Sequence, residues 1–342
     1  MKAEIAKSGL TLGPDSLAYA FVDYEDHMAF AFIFPGQGSQ FVGMGKSLAE
    51  AFPSARAVFE EVDSALEQNL SDLMWHGPES DLTMTSNTQP ALMACSLAAM
   101  QALDAEFGVK VTDAAFVAGH SLGEYSALAA AKTLTITDTA KLLRIRGEAM
   151  QAAVPVGLGA MAALLGASVE DAEAACAEGS KAGIVQMAND NATGQIVLSG
   201  EKDAVEAAAQ AARDAGVKKA MMLNVSAPFH CDLMQPAADA MREALGDHTM
   251  LPPLVPVVNN IQARPISDPD DLREDLVKQV TGRVRWRESV EWMAGEGGID
   301  TLAEPGCGKV LTVMLRRIVK GLDGNQLDSP EALEAFAAKI KG

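Results

Sequence analysis

A chain of 342 residues, 49% hydrophobic and 21% charged, is long enough to bury a large core and too apolar to be disordered. Its formal charge of −19 works against nucleic acid as a bulk partner, because phosphate meets a repulsive average field. No apolar stretch reaches the roughly 18 residues of a membrane helix, and the four cysteines show no metal-ligand spacing and read as reduced cytosolic thiols.

Residues 1–27 lack a continuous apolar core and carry Asp15, Asp23, Glu25 and Asp26, so they read as an extension outside the fold and not as a signal peptide. Met28 begins the first convincing strand, and "AFAFIF" (29–34) is an apolar run stopped by Pro35-Gly36. Helical patterns follow to about residue 108, then "DAAFVAG" (113–119) reads as a second buried strand and "EYSALAAAKTL" as a helix. Buried strands alternating with helices predict a mostly parallel sheet covered on both faces. From about residue 157 the rhythm changes. "GAMAALLG", "SVEDAEAACAEG", "GIVQMANDN", "GQIVLSG", "EKDAVEAAAQAARDAG" and "KKAMMLNVS" read as β-α-β-β-α-β, the ferredoxin-like unit. "LVPVVNN" (254–260) and "GIDTLAEPG" (298–306) then resume the alternation. The expectation is an α/β protein with one large domain over 28–154 and 227–342, interrupted by a small subdomain at 155–226.

Two glycine-rich loops follow the first two strands. "PGQGSQFVGMGKS" (35–47) fits neither phosphate motif: a P-loop needs glycine where Gln40 stands, and a dinucleotide fingerprint needs glycine where Phe41 stands. Taken alone it reads as a tight turn. Gly119-His120-Ser121-Leu122-Gly123 is a G-x-S-x-G turn between strand and helix, the context of a nucleophile elbow. Both loops open at the carboxyl edge of one sheet, where α/β proteins bind ligands. Ser121 is therefore the candidate nucleophile, with the Leu122 amide at the helix start and the Gln37 amide in the first loop as candidate oxyanion donors. Of the five histidines, His120 adjoins the serine but is expected to point away across the turn. His230, in "NVSAPFHCDLM" directly after a predicted strand, is the candidate base.

With these residues in view, the chain resembles the malonyl-CoA:acyl carrier protein transacylases and the acyltransferase domains of polyketide synthases. The matching pieces are "FPGQGSQ" (34–40), "GHSLGEYSAL" (119–128), "RIRGEAMQ" (144–151), "NATGQIVLSG" (191–200), "APFH" (227–230) and "EPGCGKVL" (304–311), in family order over 28–320. The last departs from the Gly-Pro-Gly order of many relatives, in a loop. The resemblance implies an α/β-hydrolase-like core with an inserted ferredoxin-like subdomain. It implies a malonyl group passed from coenzyme A to the phosphopantetheine thiol of acyl carrier protein through a malonyl-serine ester, for fatty acid synthesis. Ser121 matches the acylated serine and His230 its base; Gln37 and Leu122 match the oxyanion amides. Gln279 matches a glutamine whose backbone carbonyl orients the histidine, and Arg146 matches the arginine that binds the malonyl carboxylate. A guanidinium fork is the side chain best suited to that anion, although without the resemblance Arg146 reads as a solvated helix arginine. Asn191 falls where the family places a polar residue near the acyl pocket, and Phe229 resembles the bulk that excludes an α-methyl branch. No metal or redox cofactor is implied. The expected partners are malonyl-CoA and acyl carrier protein, with no nucleic acid or membrane, for a monomer in the cytoplasm. Because such carriers are acidic, "GRVRWR" (282–287) with Arg316, Arg317 and Lys320 is the candidate docking patch. A serine esterase and a silent carrier-binding module are the competing readings.

Overall fold

The structure, a computed structural model, describes residues 29–342; the extension expected at 1–27 and the strand start expected at Met28 lie outside the described residues. Among the described residues ten strands are formed: β1 (Phe30–Phe34), β2 (Phe116–Gly119), β3 (Gly159–Leu165), β4 (Val185–Ala192), β5 (Gln195–Glu201), β6 (Lys219–Met222), β7 (Val257–Val258), β8 (Pro265–Ile266), β9 (Thr301–Pro305) and β10 (Asp323–Leu327). They make two sheets. The larger runs β10-β9-β1-β2-β7-β8, parallel except for the β7–β8 pair. The smaller runs β4-β5-β3-β6 and is wholly antiparallel.

The larger sheet forms because its central strands can bury both faces. Every residue of β1 is buried, with Phe30, Phe32 and Phe34 packed in one apolar cluster and Ala31 and Ile33 in another. The helix Thr85–Phe107 lies in the first of these clusters, and its alanines let it sit within the core, with eighteen of its 23 residues buried. The small sheet carries its own cluster, in which Leu164, Ile196 and Leu198 meet alanines of the helices Val169–Gly179 and Lys202–Asp214. Its strand order is the ferredoxin-like one. The segments "LVPVVNN" and "GIDTLAEPG" pair for shorter stretches than their apolar runs suggest, Val257–Val258 and Thr301–Pro305.

The two bodies are fastened by more than the chain crossings near residues 155 and 224. Asp190 on β4 is 1% exposed and receives Arg287 Nη2 at 2.8 Å. Asn189 bridges to Val284, and His120 Nε2 lies 2.7 Å from Asn191 Oδ1. A cleft with the elbow on its floor runs between the bodies.

Candidate active site

β1 and β2 end side by side, with Phe34 opposite Gly119. The chain then reverses so sharply that Ser121 takes a left-handed conformation, φ 54°. A Cβ on Gly119 would stand 2.0 Å from the Gly123 carbonyl, and one on Gly123 would stand 2.2 Å from the Phe34 oxygen. Only glycine fits at either place. The turn lifts Ser121 Oγ above the sheet edge and starts the buried helix Gly123–Ala130 beneath it.

His230 reaches the serine from the loop after β6, itself at φ 59°. Its Nε2 lies 2.8 Å from Ser121 Oγ, and its Nδ1 lies 2.8 Å from the backbone carbonyl of Gln279. A carbonyl only accepts, so the proton sits on Nδ1, and Nε2 presents a lone pair to the hydroxyl. Burial, and then the Arg146 charge, push the imidazole pKa down to about 3. The ring is neutral at ordinary pH, as a base must be.

Arg146, from the helix Ile136–Ala152, is 1% exposed. Its Nη1 donates to Gln89 Oε1 at 2.8 Å, and its Nη2 donates to Gln279 Oε1 at 3.0 Å and to Ser121 Oγ at 3.2 Å. Burial lowers its pKa without making it a plausible neutral group. Behind it Gln279 Nε2 donates to the Ser121 carbonyl at 3.0 Å and to Glu124 Oε2 at 2.9 Å. Glu124 is fully buried, which raises its pKa to about 7, and also accepts from the Asn260 amide at 2.9 Å. Asn260 Oδ1 in turn accepts from the Ser121 amide at 2.8 Å. One polar web thus fixes the elbow, the histidine's carbonyl and the arginine together.

The serine, histidine and arginine face a cavity of about 230 Å³, walled by Met150, Met161, Val197, Leu223, Phe229 and Met314. Gln37 and Leu122 border it, and their amides donate to no acceptor among the described residues. All eight residues singled out in the sequence lie within this site: seven border the cavity, and Gln279 stands behind the arginine and histidine. Among the described residues no group of three His, Cys, Asp or Glu side chains is placed to hold a metal ion.

Two expectations are corrected. His120 does not point away: it borders the cavity, bonded to Asn191 and packed edge-on against Trp286, because the elbow throws consecutive side chains to the two sides of a space that both bodies enclose. The "GRVRWR" patch is not a free basic surface. Arg285 pairs with Glu288 at 2.5 Å, and Arg287 pairs with Asp190 and Glu291, each at 2.8 Å. Arg316, Arg317 and Lys320 do remain exposed. Sequence reasoning missed Gln89, Glu124 and Asn260. Polar residues inside the apolar runs "QPALMACSLAAM", "LGEYSALAAA" and "VPVVNN" were the available signal.

The acyl transferase domain family matches residues 31–320. The malonyl CoA-acyl carrier protein transacylase of Escherichia coli K12 is 43% identical over 306 residues, 90% of this chain and 98% of that protein. The Bacillus subtilis 168 protein of the same name is 42% identical over 312 residues, 91% and 97% of the two chains. Among solved structures, the acyl-carrier-protein S-malonyltransferase of Bartonella henselae superposes with a TM-score of 0.90 at 52% identity, covering 92% of this chain and 100% of that one. A malonyl-transacylase solved in complex with its type II polyketide synthase carrier protein gives 0.87 at 41% identity, covering 91% and 99%.

Proposed function

The chain belongs to the acyl transferase family, and from that premise we propose how its residues divide the work of moving malonyl from coenzyme A to acyl carrier protein. His230 Nε2 takes the Ser121 proton as Oγ attacks the thioester carbonyl. The amides of Gln37 and Leu122 receive the oxyanion, and the collapse of the tetrahedral species expels the coenzyme A thiolate, protonated by His230. The malonyl-Ser121 ester remains. In the second half-reaction His230 deprotonates the carrier's phosphopantetheine thiol, whose sulfur attacks the ester carbonyl; collapse breaks the bond to Ser121 Oγ, which takes the proton back from His230 and so regenerates the serine. The Gln279 carbonyl keeps the imidazole in the tautomer that both halves need.

The observation that carries this reading is the buried Arg146 guanidinium 3.2 Å from Ser121 Oγ, inside the acyl cavity. An esterase handling neutral acids has no use for a desolvated cation beside its nucleophile, whereas a malonyl group brings a carboxylate to that place. Asn191, Phe229 and the small subdomain then shape the acyl pocket, and we place the reaction in the cytoplasm. No described helix is long and apolar enough to cross a membrane. Malonyl-CoA alone should add one malonyl mass to the peptide carrying Ser121 and release free coenzyme A. Absence of both would end the transferase assignment.

A further inference from the structure

We infer that Lys46 is a self-acylation site, its amine taking acyl groups directly from coenzyme A thioesters with His76 as base and Asp72 orienting that base. None of the three residues borders the acyl cavity. Asp72 and His76 stand four residues apart on the helix Leu70–His76 and so share one face. His76 Nδ1 lies 2.8 Å from Asp72 Oδ1, and His76 Nε2 lies 3.4 Å from Lys46 Nζ. A carboxylate only accepts and an ammonium only donates, so the ring proton sits on Nδ1 and the Nε2 lone pair faces Lys46. Lys46 opens the helix Lys46–Ala51, and Gly43, just before it, donates its amide to the Met74 carbonyl at 2.8 Å, which holds the two helices side by side. Carboxylate, imidazole and nucleophile in that order make the arrangement that activates a weak nucleophile.

Other lysines are placed differently. Lys181, Lys278 and Lys339 pair with carboxylates, which hold an ammonium in its protonated, unreactive form. Among the described residues Lys46 alone is bonded to an imidazole. In the transfer the amine, its ammonium proton lost to water, attacks the thioester carbonyl. The N–C bond forms, and His76 Nε2 takes the proton that the nitrogen then sheds. Collapse breaks the C–S bond, and the coenzyme A thiolate takes that proton from the imidazole, leaving an amide on Lys46 and free coenzyme A. With malonyl the product sets an anion where the cation stood, facing Asp72.

The experiment incubates the parent and Ser121→Ala with malonyl-CoA and follows malonylation of each lysine by peptide mass over time. Ser121→Ala removes the serine ester and leaves the cluster whole. In both proteins Lys46 should react about 100-fold faster than the exposed Lys202, Lys218 and Lys320, the low end of what a positioned base contributes. His76→Gln should bring Lys46 down to their rate, and Asp72→Asn should lower it without abolishing it. His76 and Asp72 are exposed, so each variant should melt as the parent does. A Lys46 rate equal to that of the three reference lysines, or one unchanged in His76→Gln, would overturn the inference. Labelling in the parent but not in Ser121→Ala would overturn it too, because the ester would then be the donor. Labelling of Lys46 in a parent whose Ser121 stays unloaded would support this inference and refute the function proposed above.

Discussion

Replacing Arg146 with alanine should turn a malonyl enzyme into an indifferent acyl enzyme. The side chain is buried and makes three hydrogen bonds, to Gln89, Gln279 and Ser121. Its loss leaves a malonyl carboxylate in the cavity without its cation. Truncating one partner of a buried charged pair costs about 2–5 kcal/mol, so malonyl loading should fall by roughly 30- to 5,000-fold. Acetyl has no distal charge. Its loading should hold or rise, because the Ser121 hydroxyl then faces His230 alone and the elbow and its glycines are untouched. A second effect has a definite sign. The Arg146 charge is one cause of the depressed His230 pKa, after burial. Removing it should move that pKa upward and bring the acid limb of loading to higher pH. The assay is initial-rate loading with both esters across pH, on protein with the parent's melting behaviour. Equal losses with malonyl and acetyl would refute the reasoning.

His230→Ala should lower loading by about 10²- to 10⁴-fold, measured as malonyl ester formed per unit time; near-parent turnover would mean the base lies elsewhere. In the parent, kcat/KM should not fall through a pKa near 6.5, because the folded imidazole titrates only at about 3. Between those values the unfolded chain binds the extra proton, so this group's contribution to stability declines as pH falls from about 6.5 toward 3, which acid-unfolding curves would reveal. Arg287→Glu sets a like charge against the buried Asp190 and should cost about 3–5 kcal/mol of stability, read as a lowered Tm. Charge reversal at the exposed Arg316 and Arg317 should instead raise the KM for carrier protein and weaken its salt dependence without lowering the Tm; an unchanged carrier KM would put the docking surface elsewhere.

The parts legible in the sequence were those with a local cause. The Pro35-Gly36 stop ends β1, the glycines at 119 and 123 announce a close approach of helix to strand, and alternation over 157–222 gives the small antiparallel sheet. Resemblance supplied Gln279, because nothing in "VKQVTGRVRW" tells which carbonyl a distant imidazole will meet. What stayed hidden depends on long-range convergence. Gln89 and Arg146 are 57 residues apart, and Gln279 and Glu124 are 155 apart. In a linear reading each looks like a polar residue on a helix. The direction of His120 was misjudged for the same reason: its partner, Asn191, belongs to the other sheet. The arginines of "GRVRWR" looked free because Asp190 lies 97 residues from Arg287.

The carbonyl of Gln279 gives this site an unusual genetic profile. A side-chain carboxylate behind a catalytic histidine can be deleted by one codon change; a main-chain oxygen survives every substitution except those that displace its helix. Random mutation should therefore inactivate the protein at Ser121 and His230 by direct loss. At the histidine's far nitrogen it can act only indirectly, through residues that hold the helix Pro269–Thr281 in place, such as the buried Leu272, Leu276 and Val280. Substitutions at position 279 itself would register on Arg146 and Glu124, which its side chain holds, and spare the imidazole's acceptor. In a saturation screen, then, the third member of the relay would be invisible as a residue and visible only as a helix.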